Sequence, residues 1–471
     1  MCLSSLLRAV ALGVSLAMVA AGQRLDGQAA NQRGASIGRT GASQASAPGE
    51  LTLDAVYQRL QRANPQVAAA RAAATASAAR VAAAGTLPDP RVQLGFMGRD
   101  LPSLQPMETL GMDQVQVMQM VPLAGKLGLA SDAARARAQA AGTRVSAMLW
   151  SVRRDAALAF YDMWAAGRQL VVARETRDLL RQAADAAESM YRVGQGRQAD
   201  VLRAQMEITR MTEEIVRLGA MRRSMAARLA GVLDAPGLAD SMVPRIPKLD
   251  DARLPAAAGA ANDSLADLAV AGRPGLAAGR QDVAAAEIAR QLAERELWPD
   301  LEFGVQVARR PASAAPPSAS GGAMSAGWMG SFMIGASIPI FAGRRQLRMR
   351  DEAAAMRDMA AADVRALEAE TRGMVGEVTA ELLRSRESRT LYASALLPQA
   401  LATRDAAAAA YRTGGVDFMT LLDTHMTVNR IRMELYMLRA SEGKAIAELE
   451  TLLGRPLIDA AIISPLEEEV R

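Results

Sequence analysis

Side chains able to carry out chemistry are scarce in this sequence. It holds one cysteine, Cys2, and one histidine, His425, among 471 residues, and aromatic residues make up 3% of the chain. A cysteine-based zinc site needs several thiolates, and a histidine metal centre or a Ser-His-Asp triad would have to depend on His425 alone. His425 is therefore expected to be an exposed helix residue, and the composition favours a protein that is not an enzyme, with no cofactor and no bound metal.

Methionine is the one potential ligand that is abundant, with 26 residues. Thioether sulfur is a soft ligand that suits Cu(I), and two sets of methionines lie close enough in sequence to be considered for such a site. These sets are Met112, Met118 and Met120, and Met324, Met329 and Met333. Methionine also fills irregular gaps between packed elements, and we favour this packing role.

The charges of the chain are nearly balanced. There are 55 Lys and Arg against 50 Asp and Glu, which gives a formal net charge of +5. These charges are dispersed, with no basic block and no interleaved aromatic residues, so nucleic acid is not an expected partner.

The N-terminus is typical of a secretory signal peptide. Arg8 precedes an apolar run over 9–20, and small residues follow it, which predicts a cleaved signal over 1–21. Cys2 precedes the apolar run, so no lipidation is expected. Residues 22–48 are rich in Gly, Ser, Ala and Gln and are interpreted as a disordered leader. No later stretch approaches the ~18 apolar residues of a spanning helix. Because the chain begins with a signal peptide and carries no such stretch after it, we expect it to be exported.

The second half of the sequence repeats the first. The segment from Tyr191 to Pro236 aligns with that from Tyr411 to Pro456 at a constant offset of 220 residues. Both begin with Tyr-x-x-Gly and carry apolar residues at alternating spacings of three and four, as in a coiled-coil seam. We expect four consecutive parts after the leader: a first repeat over 49–236, an irregular, proline-rich linker or equatorial segment over 237–264, a second repeat over 265–456 and a C-terminal tail over 457–471.

Within each repeat the period of apolar residues changes from 3.6 to 2 and back. Alternation of apolar with polar or small residues predicts four strands, over 91–98, 112–121, 301–309 and 328–338, with surface loops over 99–111 and 310–326. Helical periodicity predicts two very long helices, over 125–192 and 344–412, both interrupted only softly and each ~100 Å long at ~1.5 Å per residue.

Four strands with one apolar face cannot close a membrane barrel by themselves, and an open edge in hydrocarbon would leave backbone groups unsatisfied. Association of several chains would supply the missing strands. Helices of this length with narrow apolar seams must pack side by side into a cylinder, because they cannot surround a globular core. The expected object is a hollow tube made of a barrel and a helical cylinder.

The sequence resembles the outer-membrane efflux proteins, the TolC-like ducts of tripartite pumps, over about Leu51 to Pro456. The residues that carry the resemblance are the duplicated Tyr-x-x-Gly turn, the strand exits Pro-Leu-Ala-Gly-Lys at 122–126 and Pro-Ile-Phe-Ala-Gly-Arg at 339–344, and Leu-Thr-Leu-Asp-Ala at 51–55 followed by Asn64-Pro65. The resemblance implies a mainly α protein with a membrane β-barrel, in which a homotrimer supplies twelve strands, four from each chain, and a periplasmic tunnel of coiled-coil helices.

The resemblance also implies partners and a place in the cell. The protein is expected in the outer membrane, in contact with its lipid, and extending into the periplasm. A periplasmic adaptor and an inner-membrane transporter, of RND type by preference, would deliver the substrate. The 122–126 exit looks most like that of the branch serving heavy-metal cation pumps, so small toxic solutes, and metal cations in particular, are the favoured cargo.

Two sets of residues are candidates for the tunnel entrance. Turns at Gly194 and Gly196, and at Gly414 and Gly415, are expected to form the periplasmic tip. The resemblance places acidic rings at Asp200 and Asp423, and it matches Tyr411 to a tyrosine that helps to hold the entrance shut by a hydrogen bond between helices. Both carboxylates could instead be ordinary solvated residues near a helix start.

Other functions remain open at this stage. The same fold could serve as a duct for drugs and organic compounds or for type I protein secretion. A periplasmic coiled-coil adaptor without a barrel is a further alternative, although the four alternating strands argue against it.

Overall fold

The computed structural model describes residues 49–97, 112–235, 242–250, 252, 262–310 and 327–461. The expected signal peptide and leader, and the two predicted surface loops apart from residue 310, lie outside these residues. Within the part of the chain that is described, none of the helices combines the length and the apolar composition needed to cross a bilayer.

The first repeat runs from the N-terminal strand to the end of a helical hairpin. Its elements are β1 (Glu50–Thr52), α1 (Leu53–Ala63), α2 (Pro65–Ala84), β2 (Arg91–Met97), β3 (Met112–Val121), α3 (Lys126–Arg192) and α4 (Gln198–Val232). Asn64 separates α1 from α2, because its side chain accepts hydrogen bonds from the N–H groups of Gln66 and Val67 and so caps the new helix.

The linker contributes one short strand, and the second repeat then has the same order of elements as the first. Their elements are β4 (Val243–Arg245), α5 (Asn262–Gly272), α6 (Pro274–Arg295), β5 (Asp300–Arg310), β6 (Gly327–Ser337), α7 (Gln346–Leu391), a π-helix (Tyr392–Leu396), α8 (Leu397–Arg412) and α9 (Phe418–Leu453). The four predicted strands and the two very long helices are confirmed, with ends that agree to within two residues.

A single antiparallel sheet joins the two repeats. Its strand order is β2-β3-β5-β6, and β3 pairs with β5 so that Met118 lies opposite Gly304. One face is apolar and exposed, with side chains such as Leu94, Phe96 and Ile334 each about two-thirds accessible. The other face carries Gln93, Gln116 and Gln306, which are aligned across three strands. In this chain β2 and β6 are the edges of the sheet.

The described part of the linker is more ordered than its composition predicts. The proline-rich linker was expected to be irregular, but β4 pairs in parallel with β1 and places Glu50 opposite Val243. The helix α5 begins at Asn262, before the expected start of the second repeat. After α9, Leu457 and Ile458 are buried, and their N–H groups donate to the Glu450 carboxylate. The start of the expected tail is therefore part of the core.

The long helix of the second repeat is interrupted where the first is continuous. A π-helical turn at Tyr392–Leu396 separates α7 from α8, and Pro398 follows at the start of α8. Proline has no N–H to donate to the turn before it, and its ring crowds the carbonyl four residues earlier. A π-turn relieves that crowding without ending the helix, which accounts for the soft interruption in the second repeat. The soft interruption expected in the first repeat is absent, since α3 is one continuous helix.

The main core lies where the helices of both repeats meet the linker. The helix α3 packs against α2, α4, α6 and α9, and its Phe160, Tyr161 and Met163 have no exposed surface. The ring of Tyr161 lies directly on Gly443 of α9, where an added Cβ would collide with it. Gly443 therefore lets the two helices approach closely.

A cluster of charges around one buried carboxylate holds the linker to the helices. Arg386, Arg389 and Arg439 surround Glu442, which is 0% exposed, and Arg386 donates to it at 2.7 Å. Arg439 also donates two hydrogen bonds to Asp250 of the linker, at 3.0 and 3.1 Å. We call these five residues the arginine cluster.

Acid is expected to weaken the arginine cluster. The hydrogen bond from Arg439, opposed in part by burial and aided by nearby arginine charges, holds the pKa of Asp250 below its ordinary value of 3.8. A carboxyl group with a lowered folded-state pKa stabilises the fold above its unfolded pKa and loses that contribution as the pH falls towards the folded value. The thermal unfolding midpoint measured between pH 5 and pH 2.5 should fall less steeply in Asp250→Asn than in wild type. Identical slopes would show that Asp250 does not titrate with folding.

Candidate functional site

The first predicted tip turn links α3 to α4. Gly194 has a φ of +76°, a left-handed conformation that side chains rarely adopt. The N–H groups of Gln195 and Gly196 both donate to the Met190 carbonyl, at 2.9 and 3.0 Å, and a Cβ on Gly196 would lie 2.8 Å from the Tyr191 nitrogen. Both glycines are thus required by the backbone, and the turn closes the helical hairpin tightly.

The second tip turn, between α8 and α9, is built differently. Gly414 has a φ of +75°, and the Gly415 N–H donates to the Ala410 carbonyl at 2.8 Å. A Cβ on Gly415 would make only ordinary contacts, so that glycine is not required by space. Val416 stands where the first turn has Gly196. The two turns therefore share one left-handed glycine and differ beyond it.

Tyr411 lies in the last turn of α8 and packs into a second apolar cluster, formed by α3, α4 and α9. Its ring meets that of Phe418 edge to face, with centroids 5.8 Å apart, and Phe418 is 1% exposed. Burial, and secondly the negative charge of Asp200, raises the pKa of the Tyr411 hydroxyl. Its counterpart in the first repeat, Tyr191, is 46% exposed.

The structure brings one of the two predicted carboxylates to Tyr411. Asp200 is half-buried in the first turn of α4, near enough for its charge to act on that hydroxyl. Asp423 is exposed on α9, in no hydrogen bond or ion pair with another described residue. In a single chain Asp423 does not contribute to the raised pKa of Tyr411, whose causes are burial and the charge of Asp200.

A third carboxylate at the tip was missed by the sequence reasoning. Asp417 caps α9 by accepting hydrogen bonds from the Thr420 N–H at 2.9 Å and the Thr420 hydroxyl at 2.5 Å. The hydrogen bond from the Thr420 hydroxyl lowers the pKa of Asp417 most, and the bond from the Thr420 N–H adds to it. The positive charge of Arg197, on the neighbouring turn, lowers this pKa further. The sequence does carry a signal for this helix cap, because an aspartate stands three residues before a threonine at the start of a helix.

His425 and two of the methionines considered for chemistry are packed among other residues. His425 is half-buried rather than exposed, and burial lowers its pKa, with Arg404 acting in the same direction. Met118 and Met333 lie on either side of Gly304, with side-chain atoms 3.6 and 3.3 Å from the position of an added Cβ. These two methionines fill the space that the missing side chain leaves. Met324 lies outside the described residues.

Comparisons with known proteins agree with this architecture. The profile of a family described as outer membrane efflux protein matches residues 56–234 and 265–455. The fold is similar to that of CusC, with a TM-score of 0.71 and 16% identity over 86% of this chain and 92% of that chain. It is also similar to the outer membrane protein VceC of Vibrio cholerae, with a TM-score of 0.70 and 16% identity over 86% and 96% of the two chains.

A third similar structure is the open state of the outer membrane channel MtrE of Neisseria gonorrhoeae. Its TM-score is 0.69, with 15% identity over 86% of this chain and 90% of that chain. No curated protein sequence matches significantly.

The four-stranded sheet carried by two repeated helical hairpins is the architecture of TolC-like channels. The chain belongs to the outer membrane efflux protein family. The predicted fold class, mainly α with a duplicated helix-strand-strand-helix-helix unit, is confirmed. The family consists of efflux channels rather than enzymes.

Proposed function

We propose that three copies of this chain form the outer-membrane channel of a tripartite efflux pump. The observation that carries the proposal is the four-stranded sheet, whose apolar face is exposed and whose edge strands β2 and β6 have no partner within the described chain. Closing three such sheets into one twelve-stranded barrel pairs every edge and turns the apolar faces to lipid. The glutamine-bearing face then lines the lumen.

The tunnel would extend into the periplasm and end at the two tip turns. There Asp200, Tyr411 and Asp423 would act as the gate, and threefold symmetry would make each carboxylate a ring of three. A periplasmic adaptor and an inner-membrane transporter, of RND type by preference, would deliver the substrate to this end. The duct itself would be passive, as the channels of its family are.

Small toxic solutes are the proposed cargo, with heavy-metal cations favoured. The likeness of the 122–126 exit to the metal-pump branch and the carboxylates at the entrance support this choice. Deletion of the gene should sensitise cells to copper, silver, zinc, cobalt or cadmium, and expression from a plasmid should restore tolerance. Sensitivity to dyes and detergents alone would indicate a drug-type duct. Loss of a secreted protein alone would indicate type I secretion, and fractionation away from the outer membrane would indicate an adaptor.

The entrance carboxylates should give the channel a preference for cations. Rings of Asp200 and Asp423 in a narrow throat concentrate negative potential, which salt screens. Asp423→Ala, or Asp200→Ala, should lower the cation-to-anion permeability ratio in planar bilayers at 0.1 M KCl, where the Debye length is ~10 Å. The difference should vanish at 1 M, where it is ~3 Å.

The matched control for this measurement is Asp178→Ala on α3, whose carboxylate pairs with Arg181 at 3.1 Å. It should leave the ratio unchanged at both salt concentrations. An unchanged ratio in both Asp423→Ala and Asp200→Ala would show that neither residue faces the lumen.

A further inference from the structure

A buried lysine joins the two repeats where the sheet meets the helices. Lys126 follows the strand exit of the first repeat, and its side chain is 5% exposed. Its ammonium donates to the Asp300 carboxylate at 2.8 Å and to the Trp298 carbonyl at 2.9 Å. Asp300 is the first residue of β5, so this ion pair fixes the end of β3 against the start of β5.

The second repeat carries the same two charges in the same local setting. The Lys126 N–H donates to the Leu123 carbonyl at 3.3 Å, and the Arg344 N–H donates to the Phe341 carbonyl at 3.0 Å. Arg344 is therefore the counterpart of Lys126, as the shared Ala-Gly-Lys/Arg sequence also indicates. Asp89, in Pro88-Asp89, is the counterpart of Asp300, in Pro299-Asp300.

These counterparts cannot meet within one chain, because they lie at opposite edges of the sheet. Arg344 follows β6, Asp89 precedes β2, and the strand order places β3 and β5 between them. Both residues are exposed, and neither forms an ion pair with another described residue. Each edge thus presents one half of a contact whose complete form is seen between β3 and β5.

We propose that Arg344 forms an ion pair with Asp89 of a neighbouring copy of this chain, so that the junction between the two repeats recurs between subunits. The inference rests on the trimer of the proposed function. A head-to-tail contact of this kind closes into a ring when the rotation between copies is the right one. The guanidinium would also reach the Leu87 carbonyl of the partner subunit, as Lys126 reaches that of Trp298.

The same equivalence specifies the strand register between subunits. Met118, three residues before Val121, corresponds to Gly335, three residues before Ile338. Gly304, four residues after Asp300, corresponds to Gln93, four residues after Asp89. Because Met118 lies opposite Gly304, Gly335 should lie opposite Gln93 of the partner subunit.

The pattern of apolar and polar side chains is consistent with this register. It places Ile334 opposite Leu94 of the partner subunit, so that apolar side chains share one face and polar or small residues share the other. A slip of one residue would turn every side chain of one strand to the wrong face.

The ion pair is tested by exchanging its charges. Arg344→Asp and Asp89→Arg should each lower the temperature at which the purified trimer dissociates in detergent, and the double variant should restore it. Arg345→Asp, beside Arg344 in the same exposed turn, is the matched control and should not be rescued by Asp89→Arg. No effect of either single change, or failure of the double variant to restore the trimer, would overturn the ion pair.

The register is tested by disulfide formation. With Cys2 changed to serine, Gly335→Cys combined with Gln93→Cys should yield covalent trimers on a denaturing gel. Gly335→Cys combined with Val92→Cys should not, because Val92 lies on the opposite face of the sheet. Gly335→Cys combined with Gly95→Cys should not either, because the two Cα atoms would be farther apart than the ~7 Å that a disulfide spans. Crosslinking through Gly95 instead of Gln93 would overturn the register. Native mass measurement separates the two proposals: a monomer contradicts both, whereas a trimer without the crosslink contradicts this inference alone.

Discussion

Gly443→Ala is expected to prevent the chain from reaching its folded state. The added methyl group would occupy the position of the Tyr161 ring, and both residues are fully enclosed by α3 and α9. Neither helix can move away without opening the main core, so the cost should be about 3 kcal/mol or more, at the upper end of overpacking effects. The expected result is loss of the heat-stable trimer in purified membranes.

Two variants show whether this effect arises from the contact itself. Gly373→Ala lies in the middle of α7 with open space around it, and it should stabilise the protein by about 0.5–1 kcal/mol through helix propensity. Tyr161→Leu in the Gly443→Ala background should recover part of the loss, since it removes the ring. A Gly443→Ala protein as stable as wild type would show that the helices are farther apart than the structure places them.

Glu442→Gln is expected to be the second most damaging change. It leaves Arg386, Arg389 and Arg439 around a neutral amide in place of a buried carboxylate, while the partly exposed Asp250 still pairs with Arg389 and Arg439. Breaking a buried ion pair by removing one partner costs about 3–5 kcal/mol, because the remaining charge stays desolvated. The thermal unfolding midpoint should fall accordingly, and the linker should become sensitive to protease.

The control is a carboxylate of the same type in an exposed pair. Glu214→Gln removes the partner of Arg217, whose side chain is 58% exposed, and it should cost less than about 1 kcal/mol. Equal effects of Glu442→Gln and Glu214→Gln would mean that water reaches the arginine cluster.

The elements of this fold could be predicted from sequence because their signals are local. Leu94 and Phe96 alternate with polar or small residues, and the seams on α4 and α9 repeat at helical spacing. The parallel pairing of β1 with β4 could not be predicted, since three residues carry no periodicity and Pro244 argues against a strand. The contact of Tyr161 with Gly443 could not be predicted from the sequence either, because it joins residues far apart in the chain.

The candidate site was predictable in part. Duplication identified both tip turns, and Gly194 and Gly414 have the left-handed conformation that such turns need. The effect of Asp200 on Tyr411 depends on how α3, α4 and α9 come together around the second apolar cluster, which single-helix patterns do not specify. Whether Asp423 faces the lumen depends on the other subunits and stays a prediction.

The equal length of the two long helical segments limits how this protein can change in evolution. The helix α3 has 67 residues, and α7, the π-helix and α8 together span the same number, over 346–412. One residue inserted into α3 would advance its tip by ~1.5 Å and rotate everything beyond it by ~100°. A seven-residue insertion would preserve the seam, but it would leave one tip ~10 Å beyond the other. Tunnels of a different length should therefore arise only through matched insertions in both repeats, in whole heptads, whereas the strand-connecting segments can vary independently.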